Sequence, residues 1–167
     1  MKNILLLLVC LIFAFPLIAA KPLEVESKHP NLISSFCGIK GDASKADLEL
    51  KFGKASKATF KPFKNFHTKL EDKVWELVWP GAKIAVYEIV AEKRFLFLFA
   101  EIDKNSFLPS PIIGLTKSDI VKRLGEPDIK ERDGYYYLDK YMTGNDSLDI
   151  FFDQGKVKLI KCKSFID

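Results

Sequence analysis

Two stretches of this sequence match each other: SKADLELKFG at Ser44–Gly53 and TKSDIVKRLG at Thr116–Gly125. They align without a gap at an offset of 72 residues, and the lysine, the aspartate and the final glycine are identical. Each stretch begins with a hydroxyl residue, carries an acid in its first turn and ends at glycine, which is typical of a short helix. The sequence therefore predicts two equivalent helices, one in each half of the chain.

Segments rich in β-branched and aromatic residues follow each predicted helix, with turn-forming residues between them. After the first helix they lie at 59–66, 74–79, 84–90 and 95–102, and after the second at 128–132, 135–141, 148–152 and 157–162. This pattern predicts an α+β fold of two tandem units, each a short helical segment followed by a four-stranded antiparallel meander. We expect residues 21–104 to form the first unit, 105–111 the linker and 112–167 the second unit.

The second of these units resembles a known family. The stretch GLTKSDIVKRLGEP at residues 114–127 resembles the Gly-(Met/Leu)-Thr … Val … Leu-Gly-x-Pro signature of the SmpA/OmlA family, and DQGKV at residues 153–157 resembles its closing hairpin. Two such units in one chain of this size resemble the β-lactamase-inhibitor proteins. That resemblance implies a tandem of helical segments and four-stranded sheets that binds another protein through a sheet face. The SmpA/OmlA resemblance implies a role in assembly of the cell envelope.

The first twenty residues have the pattern of a secretory signal peptide. Lys2 is followed by an apolar run from Ile4 to Leu17, and small residues end at Ala20. The run is shorter than the ~20 residues that span a membrane comfortably, although an anchor that is never cut is the alternative. Cys10 lies deep in the run with no small residue before it, so we expect an exported protein, periplasmic or secreted, and not a lipoprotein.

Composition excludes several classes of function. The chain has 167 residues, of which 48% are hydrophobic and 29% charged, as in an ordinary globular protein. Its formal net charge of +4 is lower than that of a dedicated nucleic-acid binder, so we expect no nucleic-acid partner. Two His and three Cys are too few for the usual His/Cys metal sites, and no nucleotide-binding glycine pattern occurs. We expect no metal and no cofactor.

No residue pattern points to catalysis. His29 lies in a polar lead-in, and His67 lies among Lys and Phe residues without a nucleophile to activate. Asp149 and Asp153 could approach one face of a strand pair, but surface acids of this kind are usually solvated rather than a glycosidase pair. We therefore expect a protein that is not an enzyme.

Cys37 and Cys162 are the cysteines that remain after the predicted leader, and an exported protein meets an oxidising compartment. A bridge between them is the expectation, with two free buried thiols or an intermolecular pair as alternatives. Closing so long a loop would stabilise the fold by about 5 kcal/mol in the chain-entropy model. It would also place the N-terminal lead-in beside the last strand, where it would shield the edge of that strand.

The predicted strands of the first unit are apolar on both faces. In the sequence pattern Trp75, Leu77 and Trp79 alternate with Val74 and Val78, and Phe95, Phe97 and Phe99 alternate with Leu96, Leu98 and Ala100. One helix covers one face only, so the other is covered by the second unit, a second copy or a foreign partner. We favour a non-enzymatic protein-binding module, an inhibitor or accessory factor, with partner-binding candidates at Trp75, Trp79, Tyr87 and Phe97.

A basic and aromatic stretch, KATFKPFKNFHTK, occupies Lys57–Lys69 and contains no acid. One interpretation is contact with anionic lipid or another polyanion, which would make the protein an envelope assembly or structural factor at the membrane surface. The favoured interpretation is an edge strand whose Phe side chains enter the core while its lysines and Pro62 protect the edge. The residues concerned are Lys57, Phe60, Lys61, Phe63, Lys64 and Phe66.

Overall fold

The computed structural model describes residues 36–139 and 146–164, with only the backbone of Asp139. A helix and four strands are followed by a second helix and four more strands. The elements are α1 (Lys45–Phe52), β1 (Lys57–Lys64), β2 (Glu71–Trp79), β3 (Ala82–Ile89), β4 (Arg94–Ile102), α2 (Lys117–Leu124), β5 (Ile129–Lys130), β6 (Gly134–Asp139), β7 (Asp146–Asp153) and β8 (Lys156–Lys163). The predicted signal peptide, with Cys10, and also His29 lie outside the described residues.

Both predicted helices are confirmed, and each begins with the same reciprocal cap. The Ser44 hydroxyl accepts the Asp47 N–H at 3.1 Å while the Asp47 carboxylate accepts the Ser44 N–H at 2.9 Å. Thr116 and Asp119 repeat the arrangement, with both distances at 3.2 Å. Hydrogen bonds from the side chain and then the backbone of the cap residue hold the pKa of each aspartate below its usual range. At the start of each helix, the backbone N–H groups of the cap residue and of the aspartate therefore both have local hydrogen-bond partners.

Each helix is also fastened to the sheet at its end. Gly53 and Gly125 follow the two helices at φ of +82° and +79°, values that favour glycine. The Trp79 indole N–H donates to the Gly53 carbonyl at 2.8 Å, and the Tyr137 hydroxyl donates to the Gly125 carbonyl at 3.1 Å. Burial raises the pKa of Tyr137, which keeps that hydroxyl protonated as a donor. An aromatic residue of the sheet thus satisfies a carbonyl at the end of each helix.

The eight strands form one continuous antiparallel sheet in the order β1-β2-β3-β4-β8-β7-β6-β5. The predicted fold class of two tandem helix-plus-sheet units is therefore wrong, because β4 pairs with β8 over Phe99–Ile102 and Ile160–Lys163. Unpaired, these two strands would each leave a row of backbone donors and acceptors without partners. Their pairing satisfies those groups and places Ala100 opposite Cys162 in the same buried layer.

One hydrophobic core covers one face of this sheet across both halves. From outside the sheet it receives Cys37, Ile39, Leu48, Phe107, Ile112 and Ile120, and from the strands residues such as Leu77, Ile84, Phe97, Tyr137, Ile150 and Ile160. Both helices and the described segment before α1, residues 36–44 and here called the lead-in, thus pack on the same side. None of the helices in the described part of the chain is long and apolar enough to cross a membrane.

Two bulges change which side chains share a face. At the β3–β4 bulge Ala85 pairs with Phe99 but Val86 pairs with Phe97, so Phe97 enters the core and Phe99 points to the opposite side. The predicted alternation is therefore wrong at Phe99, and Ala100 takes the core position instead. A second bulge lies between β7 and β8, where Phe151 pairs with Leu159 but Phe152 pairs with Val157, so that Lys158 of β8 is the extra residue. A period of two in the sequence does not reveal an extra residue of this kind.

The Cys37–Cys162 disulfide is confirmed. Its Cα atoms are 6.7 Å apart, and both residues are fully buried. The expected shielding of a strand edge is wrong, because β8 is paired on both sides, by β4 and by β7. The bridge instead fastens the lead-in to the core face in the middle of the sheet.

Candidate functional site

The four predicted partner-binding residues do not form one surface. Trp75, Trp79 and Phe97 lie on the core face, where Trp79 and Phe97 are buried and Trp75 is half-buried. The Trp75 indole N–H donates to Glu88 at 2.6 Å. Tyr87 alone lies on the opposite face of the sheet. A contact surface therefore has to be sought on the side where Tyr87 lies.

That second face, here called the open face, carries a row of directly opposed residues across five strands. Val78, Lys83, Glu101, Lys161 and Asp149 follow one another from β2 through β3, β4 and β8 to β7. The helices and the lead-in described above pack on the core face, so they do not cover this row. The row passes over the β4–β8 junction, which makes the open face continuous between the two halves.

The charges of the open face are paired along and beside this row. The Lys161 ammonium lies 2.7 Å from Glu101, and Lys83 lies 2.8 Å from Glu76. The Glu76 hydrogen bond holds the pKa of Lys83 above its usual range. Asp149 is 2% exposed and bound by Lys163 at 2.6 Å. Because partly exposed ion pairs contribute only ~0–1 kcal/mol, the Lys83–Glu76 and Lys161–Glu101 pairs add little to the stability of the fold.

Apolar side chains lie on both sides of the charged row. On one side Val74, Tyr87 and Leu96 oppose one another across β2, β3 and β4, and all three are half-buried. On the other side Phe151 opposes Leu159 across β7 and β8. The open face is therefore an amphipathic surface, with apolar bands flanking a band of alternating charge.

A groove of about 400 Å³ lies on the open face at the junction of β4 and β8. Leu98, Phe99, Glu101, Lys161, Lys163 and Ser164 line it. The β3–β4 bulge creates its apolar wall by turning Phe99 to this side, where the ring also lies 5.6 Å from the Lys83 ammonium. The groove thus combines an aromatic wall with the central charges of the face.

Tyr87 is held in place by a buried carboxylate at one end of the open face. Its hydroxyl donates to Asp72 at 2.5 Å, and the Asn65 amide and the Val90 N–H donate to the same carboxyl group at 2.7 and 2.9 Å. Desolvation and then the Asp72 hydrogen bond raise the pKa of Tyr87 to about 12. The three donors, first Tyr87, hold the pKa of the buried Asp72 below its usual range. This network joins the open face to the β1–β2 hairpin.

The predicted basic and aromatic stretch forms β1 and the turn that follows it. β1 is an edge strand, as the favoured interpretation expected, and Pro62 lies within it. The entry of its Phe side chains into the core is wrong. Phe60 and Phe63 are 50% and 53% exposed on opposite faces of the strand, and Phe66 in the turn is 81% exposed. A spacing of three residues does not keep side chains on one face of a strand.

The groups considered for catalysis lie apart or are paired. The His67 backbone N–H donates to the Asn65 side-chain oxygen within the hairpin turn. Asp149 binds Lys163, whereas Asp153 lies 3.6 Å from Lys158. Within residues 36–139 and 146–164, no group of three or more His, Cys, Asp and Glu side chains is placed to hold a metal ion.

Comparison of the chain with family models, with characterised proteins and with solved structures returned no match.

Proposed function

We propose that this protein is an exported, non-enzymatic binding module that engages a protein partner through the open face of its sheet. The observation that carries the proposal is the amphipathic pattern of that face, a charged row flanked by apolar bands on the side away from both helices. We expect the partner to be a protein because the sequence interpretation that we favour is a protein-binding module. The charges and apolar side chains of the open face support that side of the sheet as the contact surface.

The pattern suits recognition rather than solvation. A sheet face that meets only water is usually polar, whereas this one presents Val74, Leu96, Phe99 and Phe151 half-buried around its charges. Aromatic side chains of this size contribute most of the binding energy when a partner desolvates them. The alternating signs of the row discriminate between partners, because a misplaced partner would bring like charges together.

The proposed export is supported by two features. The bridge joins Cys37 to Cys162, and such bonds persist in oxidising compartments. The first twenty residues have the pattern of a secretory leader.

The test is retention of a partner by wild-type protein and by variants of the open face. Wild-type protein, Phe99→Ser and Lys161→Glu are immobilised and exposed to envelope and secreted extracts of the source cell. Leu50→Ser is the matched control, because Leu50 is 88% exposed on α1, which packs on the other side of the sheet. The retained protein is then purified, and its affinity for each variant is measured by titration calorimetry.

We expect Phe99→Ser to weaken binding by about thirtyfold, the effect of losing an aromatic anchor at the centre of an interface. Lys161→Glu should also weaken it, whereas Leu50→Ser should bind as wild type does. Near-ultraviolet circular dichroism of each variant checks that the fold is intact. Equal affinity for all four proteins would contradict the proposal. Catalytic turnover of a substrate by the wild-type protein in the absence of a partner would contradict it too.

A further inference from the structure

The β1–β2 hairpin carries the three exposed phenylalanines of the described residues. At its turn Phe66 is 81% exposed and Leu70 is 47% exposed, while Phe60 and Phe63 on β1 are half-exposed. Phe60 and Phe63 lie on opposite faces of β1, where their rings contact Trp75 and Tyr87, and Phe66 and Leu70 lie at the turn. Exposed apolar side chains at the apex of a hairpin, here Phe66 and Leu70, indicate an interaction surface.

The same hairpin is basic. The fourteen residues from Lys57 to Leu70 contain four lysines and no acid. The acids beside the turn are Glu71, which is exposed opposite Lys64 in the register, and Asp72, which is buried and bound by three donors. The lysines near the turn, Lys61, Lys64 and Lys69, therefore outnumber the one exposed acid beside them.

Hydrogen bonds hold the backbone of the turn that carries Phe66. The Asn65 side-chain oxygen accepts the N–H groups of His67 and Thr68 at 2.9 and 3.1 Å, and the Asn65 N–H donates to the Leu70 carbonyl at 3.2 Å. The Asn65 amide in turn donates to buried Asp72. Because four such bonds already order the backbone of the turn, that backbone loses little further conformational entropy on binding.

We propose that this hairpin binds an anionic membrane surface, with Phe66 inserted at the headgroup level and Lys61, Lys64 and Lys69 against the lipid phosphates. An aromatic ring at the apex with flexible lysines around it suits the interface between headgroups and acyl chains. A soluble polyanion without aromatic groups would satisfy the lysines but would leave the Phe66 ring in water. The exposed aromatic apex is therefore the observation that favours a lipid surface.

Insertion by the turn gives the lysines unequal roles. Lys57, at the start of β1, lies seven residues from Lys64, which is about 23 Å along a strand. That distance exceeds the ~10 Å screening length at about 0.1 M salt, so Lys57 should contribute little. Lys64, beside the turn, should contribute about fivefold in affinity. Lys57 is thus a matched control within the same strand.

The experiment is flotation of the exported protein with lipid vesicles. Mass spectrometry first reads the N-terminus of that protein, to establish whether the predicted leader has been removed. One vesicle type is phosphatidylcholine alone, and the other holds equal parts of phosphatidylcholine and phosphatidylglycerol. Each is tested at about 0.1 M and about 1 M salt, where the screening length falls to ~3 Å. The variants are Phe66→Ser, Lys64→Gln, Lys57→Gln and Leu50→Ser, and a heparin column measures attraction to a soluble polyanion.

We expect salt-sensitive binding to the anionic vesicles only, lowered about fivefold by Lys64→Gln and roughly tenfold by Phe66→Ser. Lys57→Gln and Leu50→Ser should bind as wild type does, and a Phe66→Trp variant should show a blue-shifted emission on the same vesicles. No flotation with anionic vesicles overturns the proposal. The proposal is also overturned if the protein binds heparin and Phe66→Ser floats with the anionic vesicles as well as the wild-type protein does. The hairpin would then attract polyanions without inserting.

Discussion

Single residues connect the two proposed surfaces, and Asp72 is the clearest case. Its carboxylate is fully buried and accepts hydrogen bonds from Tyr87 on the open face, Asn65 in the hairpin turn and the Val90 backbone. A buried carboxylate is tolerated because its acceptor sites are occupied by these donors. Protonation of Asp72 would therefore loosen three segments together.

We predict that Asp72 makes the stability of the fold depend on pH. Its folded-state pKa lies below the unfolded value of about 3.9, so its contribution is fully present above that value and is lost as pH falls through the folded-state pKa. Asp72→Asn should lower the free energy of unfolding at neutral pH and flatten its decline in acid. Urea unfolding of both proteins from about pH 7 to about pH 2 measures this.

The control for this prediction is Asp42→Asn, because Asp42 is exposed in the lead-in loop. Its pH dependence should follow that of the wild-type protein. The assignment to Asp72 fails if Asp72→Asn and the wild-type protein lose stability in parallel as the pH falls.

At the scale of elements, the repeated helix caps are the feature that local sequence encodes most directly. Ser44 and Thr116 each bind the N–H of the aspartate three residues later and receive a carboxylate bond in return. We predict that Ser44→Ala and Thr116→Ala each lower the free energy of unfolding by about 1 kcal/mol, since a helix donor then loses its partner. Denaturant unfolding followed by circular dichroism measures both changes.

Ser118→Ala is the matched control for the caps. Ser118 lies exposed within α2, where alanine is the better helix former, so the change should fall within ±0.5 kcal/mol or slightly stabilise the helix. A loss of about 1 kcal/mol at Ser118 would mean that the cost comes from the hydroxyl group in general and not from the cap.

The elements that the sequence predicted well are those whose signals lie within a few residues. Hydroxyl, acid and glycine spacing located both helices, and β-branched and aromatic segments located the strands. The bulge that turns Phe99 to the open face left no such signal, because an extra residue in a strand is set by its pairing partner. The groove at Phe99 was missed for that reason, and Tyr87 is the one partner candidate that lies on the open face.

The charged row of the open face was missed for a related reason. Lys83, Glu101, Lys161 and Asp149 lie far apart in the chain and meet only through the registers of four strands. Aligning them requires the registers of the β3–β4, β4–β8 and β8–β7 pairs together. A local pattern cannot supply this, because strands that pair across some sixty residues need no turn signal between them.

At the scale of the whole molecule, the β4–β8 pairing and the Cys37–Cys162 bridge make one body of two similar halves. The pairing shares backbone hydrogen bonds between the halves, and the core cluster includes side chains from both. The bridge adds a covalent link from the lead-in to β8. Neither half buries its strands without the other, because β4 or β8 would become an edge.

We predict from this that the two halves unfold together in one transition. Both tryptophans, Trp75 and Trp79, lie in β2, so fluorescence reports the first half, whereas far-ultraviolet circular dichroism reports helices and strands of both halves. The two denaturant curves should coincide in the oxidised protein, as two-state unfolding requires. Reduction of the bridge should lower the free energy of unfolding by about 2–5 kcal/mol and move the transition to a lower denaturant concentration. The transition should stay single, because the β4–β8 hydrogen bonds and the shared core remain. Curves that separate before reduction would show that the halves are independent units despite their common sheet.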